Sequence, residues 1–228
     1  MSMKRHWWKA LGVIIIFYTI IQGFLGEVPH YFILNETIRN MYFHVTMWFA
    51  MIILMLASVI YSVKHLSSGS RISDLKAKEL ALTGVVLSIA GLLTGSLWAK
   101  YTWGAFWVND AKLNGAAVTF LIYLAYFILR NSVEDEQKKG RLAAVYNIFA
   151  FVMMIVFLGI LPRMTDSLHP GNGGNPGFDQ YDLDARMQMV FRPAVIGWTL
   201  IAVWVTTLKI RYHQLLWKKE EMNDELEN

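Results

Sequence analysis

Long apolar stretches separated by short polar clusters set the pattern of the chain. Six runs stand out, at about 8–26, 42–63, 79–99, 114–130, 142–161 and 190–210. Each is close to the roughly 20 apolar residues that a helix needs to cross the hydrocarbon core of a bilayer. They are too long and too uniformly apolar for barrel strands, and helices are the other way for backbone groups to be satisfied in lipid. The pattern predicts an all-α polytopic membrane protein with six transmembrane helices, forming one membrane domain over 1–228. The longest connection, 162–189, has 28 residues and leaves no room for a soluble domain. Within it His169–Gly177, HPGNGGNPG, is dense in Gly, Pro and Asn and is expected to be irregular.

Composition agrees with lipid as the principal solvent. The 228 residues are 55% hydrophobic and 17% charged, with mean hydropathy +0.37, where soluble domains carry about 25% charge. Lys and Arg are unevenly divided among the connections. With the N-terminus inside, fifteen fall on the inner side and six (Arg39, Lys100, Lys112, Arg163, Arg186 and Arg192) on the outer. The positive-inside rule therefore places both termini in the cytoplasm and a tryptophan-rich loop between helices 3 and 4 outside. The first run has the basic flank of a signal peptide but no convincing cleavage site near Gly26, and reads as a true helix. The charged stretch 131–141 and the tail from Lys218 read as solvated cytoplasmic segments.

The absence of Cys removes several chemistries: no disulfide, thiolate zinc site, Cys-ligated iron–sulfur cluster or C-x-x-C-H attachment of haem can form. The spans hold almost no charge away from their ends, which argues against a proton- or ion-coupled pump. No Gly-x-x-x-x-Gly-Lys phosphate loop is present, so any ATP work belongs to a partner.

Polar and aromatic chemistry gathers instead on the outer side. His6, His65 and His213 fall among cytoplasmic Lys and Arg, whereas His30, His44 and His169 fall outside. His44 opens the second span with Trp48 on the same helical face. His169 begins the Gly/Pro-rich connection. The loop between helices 3 and 4 carries Trp98, Tyr101, Trp103, Phe106 and Trp107 within ten residues. A membrane-interface belt accounts for Trp7, Trp8 and Trp98. Trp103 and Trp107, four apart around Gly104 and followed by Asp110, suit a large flat ligand better, and would share a face if the segment were helical.

The run Trp103-Gly-x-x-Trp107-Val-x-Asp110-Ala-x-Leu113 resembles the WWD signature of haem-handling membrane proteins of cytochrome c biogenesis. Arg39-Asn-Met41-Tyr42-Phe-His44-Val45 and Ser167-Leu168-His169 resemble segments of one of these, the haem exporter protein C (CcmC) family. Chain length, six spans and inside termini also match, and the likeness covers nearly the whole chain. Three positions depart from the family's usual residues: Asn109 for Trp, Lys112 for Arg and Asn114 for Thr. Asn109 removes an aromatic face, and Lys112 keeps the charge but loses the planar fork of Arg.

The resemblance implies a haem handler of the bacterial inner membrane, with its functional loops on the periplasmic side. Non-covalent haem b would be ligated by His44 and His169 and flanked by Trp103, Gly104, Trp107, Asp110 and Lys112, with Arg163 and Arg192 as further candidates for the propionates. It implies presentation of haem to the periplasmic chaperone CcmE, with CcmD and the CcmA/CcmB ATPase as partners, and no enzyme activity of its own. Nucleic acid has no place in this reading. Three alternatives stay open: a cytochrome c haem ligase of the same WWD class, a b-type cytochrome subunit of a quinone-linked complex, and a haem-free permease or assembly subunit. Reduction by quinol would mark the redox protein, and purification without tetrapyrrole the permease.

Overall fold

A computed structural model describes residues 6–30, 34–169 and 184–227. Among them the secondary structure is helical, without strands. The helices are α1 (Trp7–Leu25), α2 (His44–Ser68), α3 (Arg71–Trp103), α4 (Ala111–Ser132), α5 (Glu136–Ile155), a short α6 (Leu161–Met164) and α7 (Ala185–Glu227). A 3-10 segment, Asn35–Tyr42, leads into α2, and a π turn, Val156–Ile160, joins α5 to α6. Six continuous helical stretches are long and apolar enough to cross a membrane, with α5 through α6 forming one of them.

The helices outrun the apolar runs because their ends are set by capping chemistry as well as by hydropathy. Gly69 adopts a left-handed φ of 66° to close α2, and the Ser70 side chain accepts from the Ser73 N–H to open α3. The first two turns of α3 are polar, so this helix begins at Arg71 although its apolar run starts only at 79.

Large apolar side chains line the outside of the bundle, as lipid requires: Ile14, Phe17 and Phe24 on α1, Leu93 on α3, Val145 and Val152 on α5 are all exposed. The interior uses small residues for close helix approach and Met, Tyr and Leu for fill. Met51, Met55, Ala81, Val85, Tyr123, Tyr126, Ala150 and Met154 form the main cluster. Hydrogen bonds link buried polar groups of neighbouring helices there. The Asn147 amide on α5 donates to Ser58 Oγ at 2.7 Å and Ser62 Oγ at 2.9 Å on α2. Ser58 in turn donates to the Ala77 carbonyl of α3 at 2.6 Å. At the end of the bundle that holds the α2–α3 turn, Arg130 of α4 grips Asp74 of α3 through two bonds, one of 2.7 Å.

At the opposite end the chain is arranged around the start of α2. Arg39 donates to the Gly26 and Gly23 carbonyls at 2.6 and 3.2 Å, satisfying the last turn of α1. Ile38, Met41 and Tyr42 are buried against Met187, Val190 and Phe191 of α7. The stretch that carries the Arg39–Val45 motif thus anchors the entry of α2 and fixes where His44 emerges.

Candidate functional site

Four element ends meet on this side: the start of α2, the end of α3, the start of α4 and the chain just beyond α6. Each contributes a residue that the sequence singles out.

Asp110 is the hub. It is the N-cap of α4, accepting from the Lys112 and Leu113 N–H groups at 2.9 and 3.2 Å. The same carboxylate accepts from Ser167 Oγ at 2.8 Å, the Leu168 N–H at 2.8 Å and His169 Nδ1 at 2.8 Å. Burial would raise its pKa, but the hydrogen bonds from the His169 ring, Ser167 and Leu168 outweigh this and hold the carboxyl well below the usual range. The helix N-terminus favours the same charged form. Asp110 side-chain exposure is 0%, against 24% for His169, so the carboxylate lies behind the imidazole rather than beside it.

This contact fixes the chemistry of His169. A carboxylate accepts only, so Nδ1 carries the hydrogen and Nε2 is the nitrogen whose lone pair is left to bind a metal. The Trp103 ring stands edge-on to the imidazole, with centroids 4.9 Å apart. His44 is prepared in the same way. Its Nδ1 is 2.9 Å from the Gly91 carbonyl and 3.2 Å from Thr94 Oγ1. Because a carbonyl cannot donate, Nδ1 again carries the hydrogen and Nε2 the lone pair. Trp98 and Trp48 meet the His44 ring edge-on at 5.9 and 6.4 Å.

The aromatic segment takes a shape different from a continuous helical face. Helix α3 ends at Trp103, and Gly104 turns the chain out with a φ of 84°, a conformation that disfavours side chains with a Cβ. The Lys100 ammonium donates to the Gly104 carbonyl at 2.9 Å and closes the turn. Residues 104–110 are non-helical, so Trp103 and Trp107 do not share a helix face. Trp107 is 44% exposed. Its Nε1 donates to Asn114 Oδ1 at 3.2 Å, and the Asn114 amide donates to Asn109 Oδ1 at 2.8 Å. Two of the positions that depart from the family pattern therefore bond to each other and hold Trp107 by its edge. The third, Lys112, is half-buried in the first turn of α4 and lends its backbone to Asp110.

Four contributors are not among the site residues expected from sequence. Gly91, Thr94, Gly95 and Trp98 occupy one face of α3 at i, i+3, i+4 and i+7, which is a legible helical signal. Trp98 belongs with His44 as well as with the interface, and its Nε1 donates to Thr37 Oγ1 at 3.1 Å. Asn40 ties the entry segment to α3 through the Thr94 carbonyl at 3.0 Å.

The family model for Heme exporter protein C, CcmC, matches residues 1–226. The chain belongs to that family. A Heme exporter protein C from Escherichia coli is 24% identical over 214 residues, covering 93% of this chain and 84% of its own length. One from Rhodobacter capsulatus is 24% identical over 95% of this chain and 91% of its own. One from Bradyrhizobium diazoefficiens reaches 32% identity over 140 residues, which is 61% of this chain and 52% of the relative. Family membership and the six apolar helices together make this a multi-pass membrane protein.

Proposed function

We propose that this chain binds haem b non-covalently and delivers it for the maturation of c-type cytochromes. The observation that carries the reading is the Asp110–His169 pair beside Trp103, with His44 oriented in parallel by α3. Two imidazoles in the Nε2-lone-pair form, each met edge-on by indole rings, suit a large flat metal complex with two axial positions. A carboxylate behind a ligating imidazole fixes its tautomer and raises its basicity.

In this reading His44 and His169 are the axial ligands and Asp110 positions His169 without touching iron. Trp103 and Trp107 lie along the porphyrin, and Gly104 forms the turn that lets the chain between them depart from α3. Lys112 serves the propionates, with Arg163 and Arg192 as further candidates. In this reading the site faces the periplasm at the bacterial inner membrane with both termini in the cytoplasm, an orientation that the excess of Lys and Arg on the other connections supports. Haem is cargo here, held by coordination and packing alone, and is passed to the chaperone CcmE with CcmD and the CcmA/CcmB ATPase as companions. The chain itself supplies binding and presentation, not catalysis.

The test is spectroscopic. His44→Ala and His169→Ala are each expected to abolish or grossly change the absorbance of haem co-purified with the protein. If both variants keep an unchanged bis-imidazole spectrum, the ligand assignment fails.

A further inference from the structure

Helix α7 has 43 residues, far more than the roughly 20 that a span needs. At about 1.5 Å per residue, the part beyond Ile210 extends some 25 Å past the apolar segment. From Thr206 to Trp217 one face of α7 is held by α3. Thr206 bonds Thr83 at 3.0 Å, His213 pairs with Glu79 at 3.3 Å, and Arg71 lies 3.9 Å over the Trp217 ring. Turning 100° per residue, the diametrically opposite face carries Leu208, Tyr212, Leu215, Lys219, Met222 and Leu226. The spacing alternates four and three, the repeat of a helix that pairs with another helix. The apolar members are 50–85% exposed.

This face already has an occupant inside the bilayer. Gly197 of α7 sits against Ile15 and Ile16 of α1, Gly12 of α1 sits against Leu200 and Ile201, and Lys9 reaches the Trp204 ring. Helix α1 begins at Trp7, whereas the stripe on α7 runs on to Leu226. Lipid can cover Leu208, but Leu215, Met222 and Leu226 stand among charged residues where lipid tails do not reach. Arg211 and Lys218 flank the stripe and Lys219 stands within it, with Glu225 beside Lys218 at one edge, while Glu220, Glu221 and Asp224 point the other way. A second copy in parallel would set Lys219 against its own equivalent, a repulsion at a core position.

We infer that the exposed end of α7 is the docking site for an amphipathic helix of a partner protein, with apolar residues at three-four spacing and a carboxylate opposite Lys219. That helix prolongs the α1–α7 seam beyond the membrane. The inference is independent of haem.

The native chain lacks Cys, so single labels are straightforward. Full-length protein in nanodiscs, one chain per disc, would carry a nitroxide at Leu215→Cys, Met222→Cys or Leu226→Cys, or at Asp224→Cys as the control on the reverse face. The probe is a synthetic 21-residue amphipathic helix with Leu at the seam positions and Glu opposite Lys219, compared with the same peptide bearing Lys. The Glu peptide is expected to immobilise the three stripe labels but not the control, and to bind at least tenfold tighter than the Lys peptide. Lys219→Glu should reverse that preference. Binding indifferent to the charge swap would overturn the proposal. So would stripe labels quenched by a lipid-borne agent without peptide, which would assign the face to the bilayer, or efficient Met222→Cys disulfides between copies in larger vesicles, which would assign it to a dimer.

Discussion

Asp110 receives five hydrogen bonds, from Lys112, Leu113, Ser167, Leu168 and His169. An amide at this position has only one acceptor oxygen, and its NH2 would face donors. Asp110→Asn should therefore loosen the 167–169 segment, release the His169 ring from its tautomer and weaken haem binding about 10–100-fold. Titration of the apo-protein with haem, followed by absorbance, measures this. The pH behaviour has a definite sign. The folded carboxyl titrates below its ordinary value of 3.8. Its stabilising contribution is then complete above that value and is lost only as pH falls through the lower, folded one. The difference in thermal midpoint between wild type and Asp110→Asn should stay level from about pH 8 to 5 and shrink below about pH 4. A difference that fades near neutrality would mean that a histidine dominates instead. The sequence marks Asp110 through its signature without tying it to His169. The bond to His169 spans 59 positions and arises only because α5, the π turn and α6 bring that segment back to the start of α4. No local spacing encodes such a closure.

At the scale of elements, the α2–α3 seam decides where His44 points. A Cβ at Gly95 would come within 2.5 Å of His44 Cε1, and one at Gly91 within 2.7 Å of the Trp48 ring. These glycines make room for the imidazole and its indole neighbour against α3. Ala is the better helix former by about 1 kcal/mol, so Gly95→Ala should leave α3 intact while forcing the His44 ring to rotate from the Gly91 carbonyl. The expected result is unchanged helical circular dichroism with a lower or spectrally shifted haem content per protein. A normal haem spectrum would show that the ring tolerates the methyl group. The six spans were legible because apolar runs of this length have few other structures open to them. The extensions were not, since the polar turns of α3 are opened by the Ser70 cap and the charged end of α7 simply continues its helix, without an apolar run to announce them. Trp98 illustrates the same limit: composition reads it as an interface anchor, and only the pairing of α2 with α3 brings it to His44.

Taken as a whole, the molecule separates the support of its fold from the support of its site. The Asp74–Arg130 pair, with side chains 16% and 8% exposed, joins α3 to α4 at one end, and the Asp110–His169 pair joins α4 to the chain after α6 at the other. Between them lie short neutral links such as Asn147 to Ser58 and Ser62. Removing one partner of a buried ion pair strands the other charge and costs about 3 kcal/mol or more. Arg130→Ala should therefore lower the thermal midpoint markedly, yet the fraction that remains folded should bind haem with its normal spectrum, because nothing in the His44 and His169 shells touches Arg130. Asp110→Asn should do the reverse in kind, losing a cap and a loop anchor but leaving the bundle standing with a defective site. Measuring unfolding and haem titration on both variants and on their combination would test this separation. Additive losses of stability, with a haem defect only where Asp110 is changed, are expected for sites so far apart. A haem defect in Arg130→Ala at temperatures where it is fully folded would instead show that the two ends communicate through α4, the one helix that both pairs share.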